Sequence, residues 1–168
     1  MDYCDLWESS MVISELVASL INQQVANELS NRLQYLQISS WCHNLGLKRL
    51  EAFFKKESDG ELGHSDKFIA YLLESNTPLA VPSLPQRQST FNDCEEIANL
   101  YVEVEAKTTR DINSIWDVAV ADRDWGTQDL LQGLSREQIE EEGLAERFSN
   151  LTERAGGDYI KLDLMFGE

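Results

Sequence analysis

Glu28, Glu61, His64, Glu105, Gln138 and Glu141 each interrupt a run of apolar residues at helical spacing. The second run reads Leu47, Leu50, Phe54, Glu57, Glu61, His64, Phe68, Tyr71. Steps of three and four residues keep all its members on one face of a helix. A face that buries leucine and phenylalanine has no use for two carboxylates and an imidazole. Burying an unpaired charge costs several kcal/mol, so such groups persist only where something pairs with them. When the interruption recurs on four helices, a shared metal ion answers all of them at once. Glu28, Glu61 and Glu105 with His64, three carboxylates and one imidazole, are mostly oxygen donors and suit iron or manganese better than a thiolate-bound metal. Bridging carboxylates would let two such ions sit about 4 Å apart. Tyr35 follows Glu28 by two turns on the same face, where a phenol could donate an electron or hydrogen-bond a bound oxygen species. Taken singly, each signal has a plainer reading: a helix turned slightly toward solvent, a buried amide at Gln138, a core tyrosine at Tyr35. Their coincidence at one level of four helices is what carries the metal reading.

Four long amphipathic helices are needed to position these groups. The first is expected over 14–44, with Val17, Ile21, Gln24, Glu28, Asn31, Tyr35, Ile38 and Cys42 on its stripe and a stop near Gly46. The second spans about 48–74. The third starts at Asn92 or Asp93, either a good N-cap, and shows Ile97, Tyr101, Val104, Glu105, Thr108, Ile112, Ile115 and Ala119. A short break over 122–126 precedes the fourth, whose stripe is Leu131, Leu134, Gln138, Glu141, Ala145 and Phe148, ending near Gly156. Residues 158–165 form one short terminal helix, and residues 1–12 are expected as a flexible N-terminus to a single domain covering 1–168.

All three prolines lie between Pro78 and Pro85, inside one irregular stretch of about 18 residues between helices two and three. Helices of about 27 residues are roughly 40 Å long at about 1.5 Å per residue. An extended connection at about 3.3 Å per residue can travel that whole length. Helices two and three would then run parallel. The expected fold is therefore all-α: a four-helix bundle with one long crossover between helices two and three, plus the short C-terminal helix.

Bulk properties narrow the partners. A net charge of -16 over 168 residues argues against nucleic acid, which needs a positive footprint, and favours cations as ligands. No apolar run approaches the roughly 20 residues of a membrane span. The first ten residues hold three acids and no base, which fits neither a secretory nor a transit peptide. Cys4, Cys42 and Cys94 are odd in number and far apart, with neither zinc spacing nor a disulfide framework. A reducing, cytoplasmic setting follows.

The chain resembles the ferritins, most closely the bacterial non-haem type, over roughly 16–164. The resemblance rests on Glu28 followed by Tyr35-Leu-Gln-Ile-Ser-Ser-Trp41, on Phe53-Phe54-Lys-Lys-Glu57 leading into Glu61-x-x-His64, on Glu105, on Asp124-Trp125, and on Glu137-Gln138-Ile-Glu140-Glu141-Glu142. It implies the ferritin-like bundle and ferroxidase activity: ferrous iron oxidised by dioxygen or peroxide at a dinuclear centre, with ferric mineral stored in a hollow shell of 24 identical subunits. By that resemblance Glu28 and His64 hold one iron, Glu105 the other, and Glu61 bridges them. Gln138 hydrogen-bonds bound oxygen or water, and Tyr35 is the adjacent redox-active residue. Glu141, with Glu137 and Glu140, matches the family's extra iron site toward the inner surface.

Three departures from the family pattern stand out. Gly60 occupies the place of a second acid just before the bridging glutamate. Gln138-x-x-Glu141 replaces the Glu-x-x-His of bacterioferritins, and Leu62 lies where a haem-binding methionine would be, so no haem is expected. Thr127, Gln128, Asp129 and Leu131 match poorly the acidic three-fold channel of animal ferritins. Competing functions are a di-iron protein that detoxifies oxygen or peroxide with limited storage, a non-catalytic mineral-scaffold subunit, and a metal-free helical binding module of the cytokine sort. The last leaves the carboxylates on four helices without a partner.

Overall fold

A computed structural model describes residues 12–166. They form five helices: α1 (Glu15–Asn44), α2 (Lys48–Glu74), α3 (Cys94–Ala121), α4 (Trp125–Ala155) and α5 (Tyr159–Met165), with no strand among the described residues. The expectations for residues 1–11 and for Cys4 fall outside the described residues.

Local signals set the helix ends. Ser14 caps α1, its Oγ accepting from the Val17 amide at 3.3 Å. At the other end Gly46 takes a left-handed φ of 74°, and Leu47 N donates back to Cys42 O at 3.0 Å. Glycine adopts that backbone without a Cβ penalty, so the chain reverses within a few residues. Asp93 caps α3 through Oδ1, which accepts from Glu96 N at 2.8 Å. Asp124 caps α4, accepting from Thr127 N at 2.9 Å. The expected break over 122–126 is thus shorter: Trp125 and Gly126 already belong to α4, because the aspartate immediately before them supplies the cap.

Short turns make α1–α2 and α3–α4 antiparallel hairpins, and the long connection then decides how the hairpins meet. It runs beside α1, held by side chains at successive levels. Asn22 Oδ1 accepts from Ala80 N at 2.6 Å. Arg87 reaches Ser30 O at 3.1 Å and Asn31 Oδ1 at 2.8 Å. Gln34 and Gln88 exchange two bonds, of 2.9 and 3.1 Å. The loop therefore climbs in the same direction as α1, so α3 starts near the C-terminal end of α1 and runs parallel to α2. The bundle closes at the far end where Ser14 Oγ donates to Asp122 Oδ2 at 2.6 Å.

The core consists of two apolar clusters. One holds Tyr35, Ile38, Leu50, Phe54, Tyr101 and Phe148; the other holds Val17, Ile21, Phe68, Leu72, Ile115 and Leu131. Between them, at mid-height, every long helix contributes a buried polar side chain. That layer is where the sequence places its chemistry.

Candidate metal centre

Glu28 from α1, Glu61 and His64 from α2, Glu105 from α3 and Gln138 from α4 are all buried in the middle layer. Each sits one or two turns from an apolar anchor: Val25 and Tyr35 flank Glu28, Phe54 and Phe68 flank the α2 pair, Ile112 follows Glu105, and Leu134 precedes Gln138. The anchors fix the helix faces, and the faces leave these side chains no direction but inward.

Glu28, Glu61 and His64 each offer a ligand atom, and these atoms lie within 4.8 Å of one another. His64 Nδ1 is 3.5 Å from Glu61 Oε2. Gln24 Nε2 donates to Glu28 Oε1 at 2.7 Å. Glu28 Oε2 and Glu61 Oε2 are buried with no hydrogen-bond partner. Buried carboxylate oxygens without a hydrogen bond are costly in a bundle interior, and together with the nearby imidazole they are a donor set that a hard cation satisfies. Glu105 stands outside that group of three, near enough for its charge to act on Glu61. Its Oε1 accepts from the Tyr35 hydroxyl, and its Oε2 accepts from Gln138 Nε2 at 2.8 Å.

Electrostatics say the same. Burial, then the neighbouring charge of Glu61, drives the Glu28 carboxyl well above its usual range. Burial does the same to Glu61, aided by Glu105 and Glu141. Glu105 is pushed up to about 7, burial outweighing the hydrogen bonds from Tyr35 and Gln138. Glu141 is pushed up to about 8 by burial and by Glu105, Glu57 and Glu28, against the pull of His64. Crowded acids of this kind hold protons until a cation replaces them.

On the α4 side, His64 Nε2 is 3.1 Å from Glu137 Oε2 and 3.5 Å from Glu141 Oε1. Glu137 is in turn gripped by Lys67 Nζ at 2.7 Å through its other oxygen. Glu140 is exposed and makes no hydrogen bond to the cluster, so the structure gathers Glu137 and Glu141 at the rim and leaves Glu140 outside it. Gly60 is exposed on α2, and a Cβ there would meet nothing within 4 Å.

Sequence reasoning did not assign several supporting groups. Asn31 Nδ2 donates to Thr108 Oγ1 at 3.2 Å, tying α1 to α3 inside the layer. Both sit on their helices' inward stripes, and an amide one turn beyond Glu28 was the available signal. Arg87 and Lys67 carried no signal, since one lies in the crossover and the other looks like an ordinary surface lysine. Glu57, left without a role by spacing alone, accepts from the Tyr101 hydroxyl at 2.5 Å.

The ferritin-like domain family model matches residues 18–155. The bacterial non-heme ferritin of Campylobacter jejuni is 28% identical over 153 residues, covering 89% of this chain and 92% of that protein. The one from Bacteroides fragilis strain 638R is 28% identical over 145 residues, covering 86% and 91%. Among solved structures, the open pore ferritin of the hyperthermophilic archaeon Archaeoglobus fulgidus superposes with a TM-score of 0.88 at 23% identity. That superposition covers 92% of this chain and 96% of the archaeal one, and it bears on the fold. The all-α bundle with one crossover, the match over most of its length and the buried carboxylate–histidine layer agree: this chain belongs to the ferritin family, with bacterial non-haem ferritins among its relatives.

Proposed function

We propose that this protein oxidises ferrous iron with dioxygen or hydrogen peroxide at a dinuclear centre and deposits the ferric product as mineral inside a shell of 24 copies. The observation that carries the reading is the buried group of Glu28, Glu61 and His64, whose ligand atoms lie within 4.8 Å of one another and in which Glu28 Oε2 and Glu61 Oε2 accept no hydrogen bond. Iron is the substrate. Glu28 and His64 would hold one ferrous ion and Glu105 the other, with Glu61 between them. Gln138, already donating to Glu105, can turn its amide toward oxygen or water. Tyr35 is positioned to give an electron while passing its proton to Glu105. Glu141 and Glu137, with Glu140 beyond them on the exposed side, would take oxidised iron toward the inner surface. Apolar clusters above and below the layer keep bulk water from the reacting ions.

We read the chain as one domain: within residues 12–166 both apolar clusters close around one shared layer. No described helix is long and apolar enough to cross a membrane. Cys42 and Cys94 are free and buried, which supports a reducing, cytoplasmic setting.

Stopped-flow mixing of ferrous iron with oxygenated buffer tests the reading. His64→Ala and Glu61→Ala should lose the fast oxidation phase while circular dichroism and light scattering report an intact helical shell. Unchanged oxidation rates in both variants overturn the assignment.

A further inference from the structure

We propose that Tyr101 is a second electron donor to the centre, acting through Tyr35 and passing its phenolic proton to Glu57. This rests on the oxidation chemistry proposed above. Neither residue belongs to the ligand set. Tyr101 is fully buried, and its ring meets that of Tyr35 edge-on, with centroids 5.4 Å apart and planes at 85°. The two phenols are each hydrogen-bonded to a different carboxylate: Tyr35 donates to Glu105, and Tyr101 donates to Glu57 Oε2 at 2.5 Å. Hydrogen bonds and the ring contact therefore link Glu105, Tyr35, Tyr101 and Glu57 in that order.

A buried phenol does not shed its proton to the apolar core. Once it loses an electron it becomes a strong acid, and it keeps the electron deficit only if a base takes the proton at once. Glu57 stands at that distance. Its half-buried position lets solvent equilibrate the proton it receives. The remaining walls are phenyl rings: Phe54 at 5.5 Å, Phe53 at 5.9 Å and Phe148 at 6.2 Å from the Tyr101 centroid. Phenylalanine is much harder to oxidise than tyrosine, so these rings insulate the radical rather than extend the path.

Electron counting gives the second tyrosine a purpose. Reducing dioxygen to two waters takes four electrons and four protons. Two ferrous ions supply two of the electrons. Tyr35 supplies a third, its O–H bond breaking and the proton going to Glu105. Tyr101 then returns an electron to the Tyr35 radical, which recovers its proton from Glu105, while the Tyr101 O–H bond breaks toward Glu57. Restored Tyr35 gives the fourth electron. The two tyrosine protons and two from solvent complete the waters. The two neutral tyrosyl radicals are later reduced and reprotonated as further ferrous ions become ferric. With dioxygen as oxidant and only the two ferrous ions of the centre bound, a single tyrosine would leave the reduction to water one electron short.

Freeze-quench electron paramagnetic resonance tests the relay. Metal-free protein loaded with two ferrous ions per subunit is mixed with oxygenated buffer, and ferric product is followed by absorbance in the same shots. The wild type should give two tyrosyl contributions. Tyr101→Phe should keep only that of Tyr35, roughly halving the spin yield, and Tyr35→Phe should lose both. Glu57→Gln can still accept the hydrogen bond but cannot take the proton, and it should abolish the Tyr101 contribution with the fold unchanged by circular dichroism. Iron oxidised with identical spin yield, line shape and decay in wild type, Tyr101→Phe and Glu57→Gln overturns the relay alone. Absence of iron oxidation in the wild type overturns the parent reading and the relay with it.

Discussion

Removing the charge of Glu105 while keeping its shape should make the metal-free protein more stable at neutral pH and above, and leave it unchanged in acid. Glu105 is 2% exposed and carries its carboxyl from the usual 4.5 up to about 7. Between those values the folded state keeps a proton that the unfolded state has released. Stability therefore falls as pH rises through that window and levels off above it. At about 1.36 kcal/mol per pH unit, the loss attributable to this one group is about 3 kcal/mol. Glu141, pushed up to about 8, extends the decline, although its partly exposed side chain lets solvent screen much of the effect. Glu105→Gln keeps an oxygen to accept from Tyr35, and Gln138 can rotate its amide to face the new one. Urea unfolding in chelator, followed by far-ultraviolet circular dichroism from pH 4.5 to 8.5, should show wild type declining and the variant declining less by about 3 kcal/mol. Adding a divalent cation should restore the wild type far more than the variant. Equal slopes for the two proteins, with or without cation, would refute the claim that the layer holds protons in place of metal.

Other perturbations act on the frame. Arg87→Ala removes the donor to Ser30 O, Ser30 Oγ and Asn31 Oδ1, so amide exchange over residues 78–91 should accelerate and stability should fall by about 1.5–3 kcal/mol. Phe148→Ala empties a fully buried site packed against Phe53, Phe54 and Tyr101; a loss of about 3–5 kcal/mol in chemical unfolding is expected. Gly60→Ala fills open space on an exposed helical face and should stabilise by about 0.5–1 kcal/mol, seen as a higher melting temperature with oxidation kinetics unaltered.

Much of this architecture is legible in the sequence because apolar spacing is redundant. Leu50, Phe54, Phe68 and Leu72 alone fix the inner face of α2, and once that face is known Glu61 and His64 can only point inward. Ser14, Gly46, Asp93 and Gly156 mark helix ends by local chemistry that needs no tertiary knowledge. The α4 start shows the limit of such punctuation: a break is expected over 122–126, yet Asp124 caps the helix within it. Side chains that work across elements were not legible. Arg87 reaches α1 from an irregular segment, and nothing periodic marks it. The Lys67–Glu137 pair joins residues on different helices, so neither position betrays the other. Glu57 and Tyr101 both lie on inward stripes, but their contact depends on the rotation of α2 against α3, which sequence spacing does not supply.

The two apolar clusters above and below the polar layer have a mechanical consequence. Each cluster locks the four helices at a spacing set by close-packed side chains, which resist compression and expansion alike. The layer between them is filled by polar side chains instead, among them Gln24, Glu28, Asn31, Glu61, Glu105 and Gln138, whose fit depends on protons or cations as well as on shape. The bundle is thus held by apolar packing at two heights and by neutralised charge between them. Were a cation to take the place of those protons, the adjustment would fall on the side chains of that layer, while the apolar clusters hold the helix faces in register.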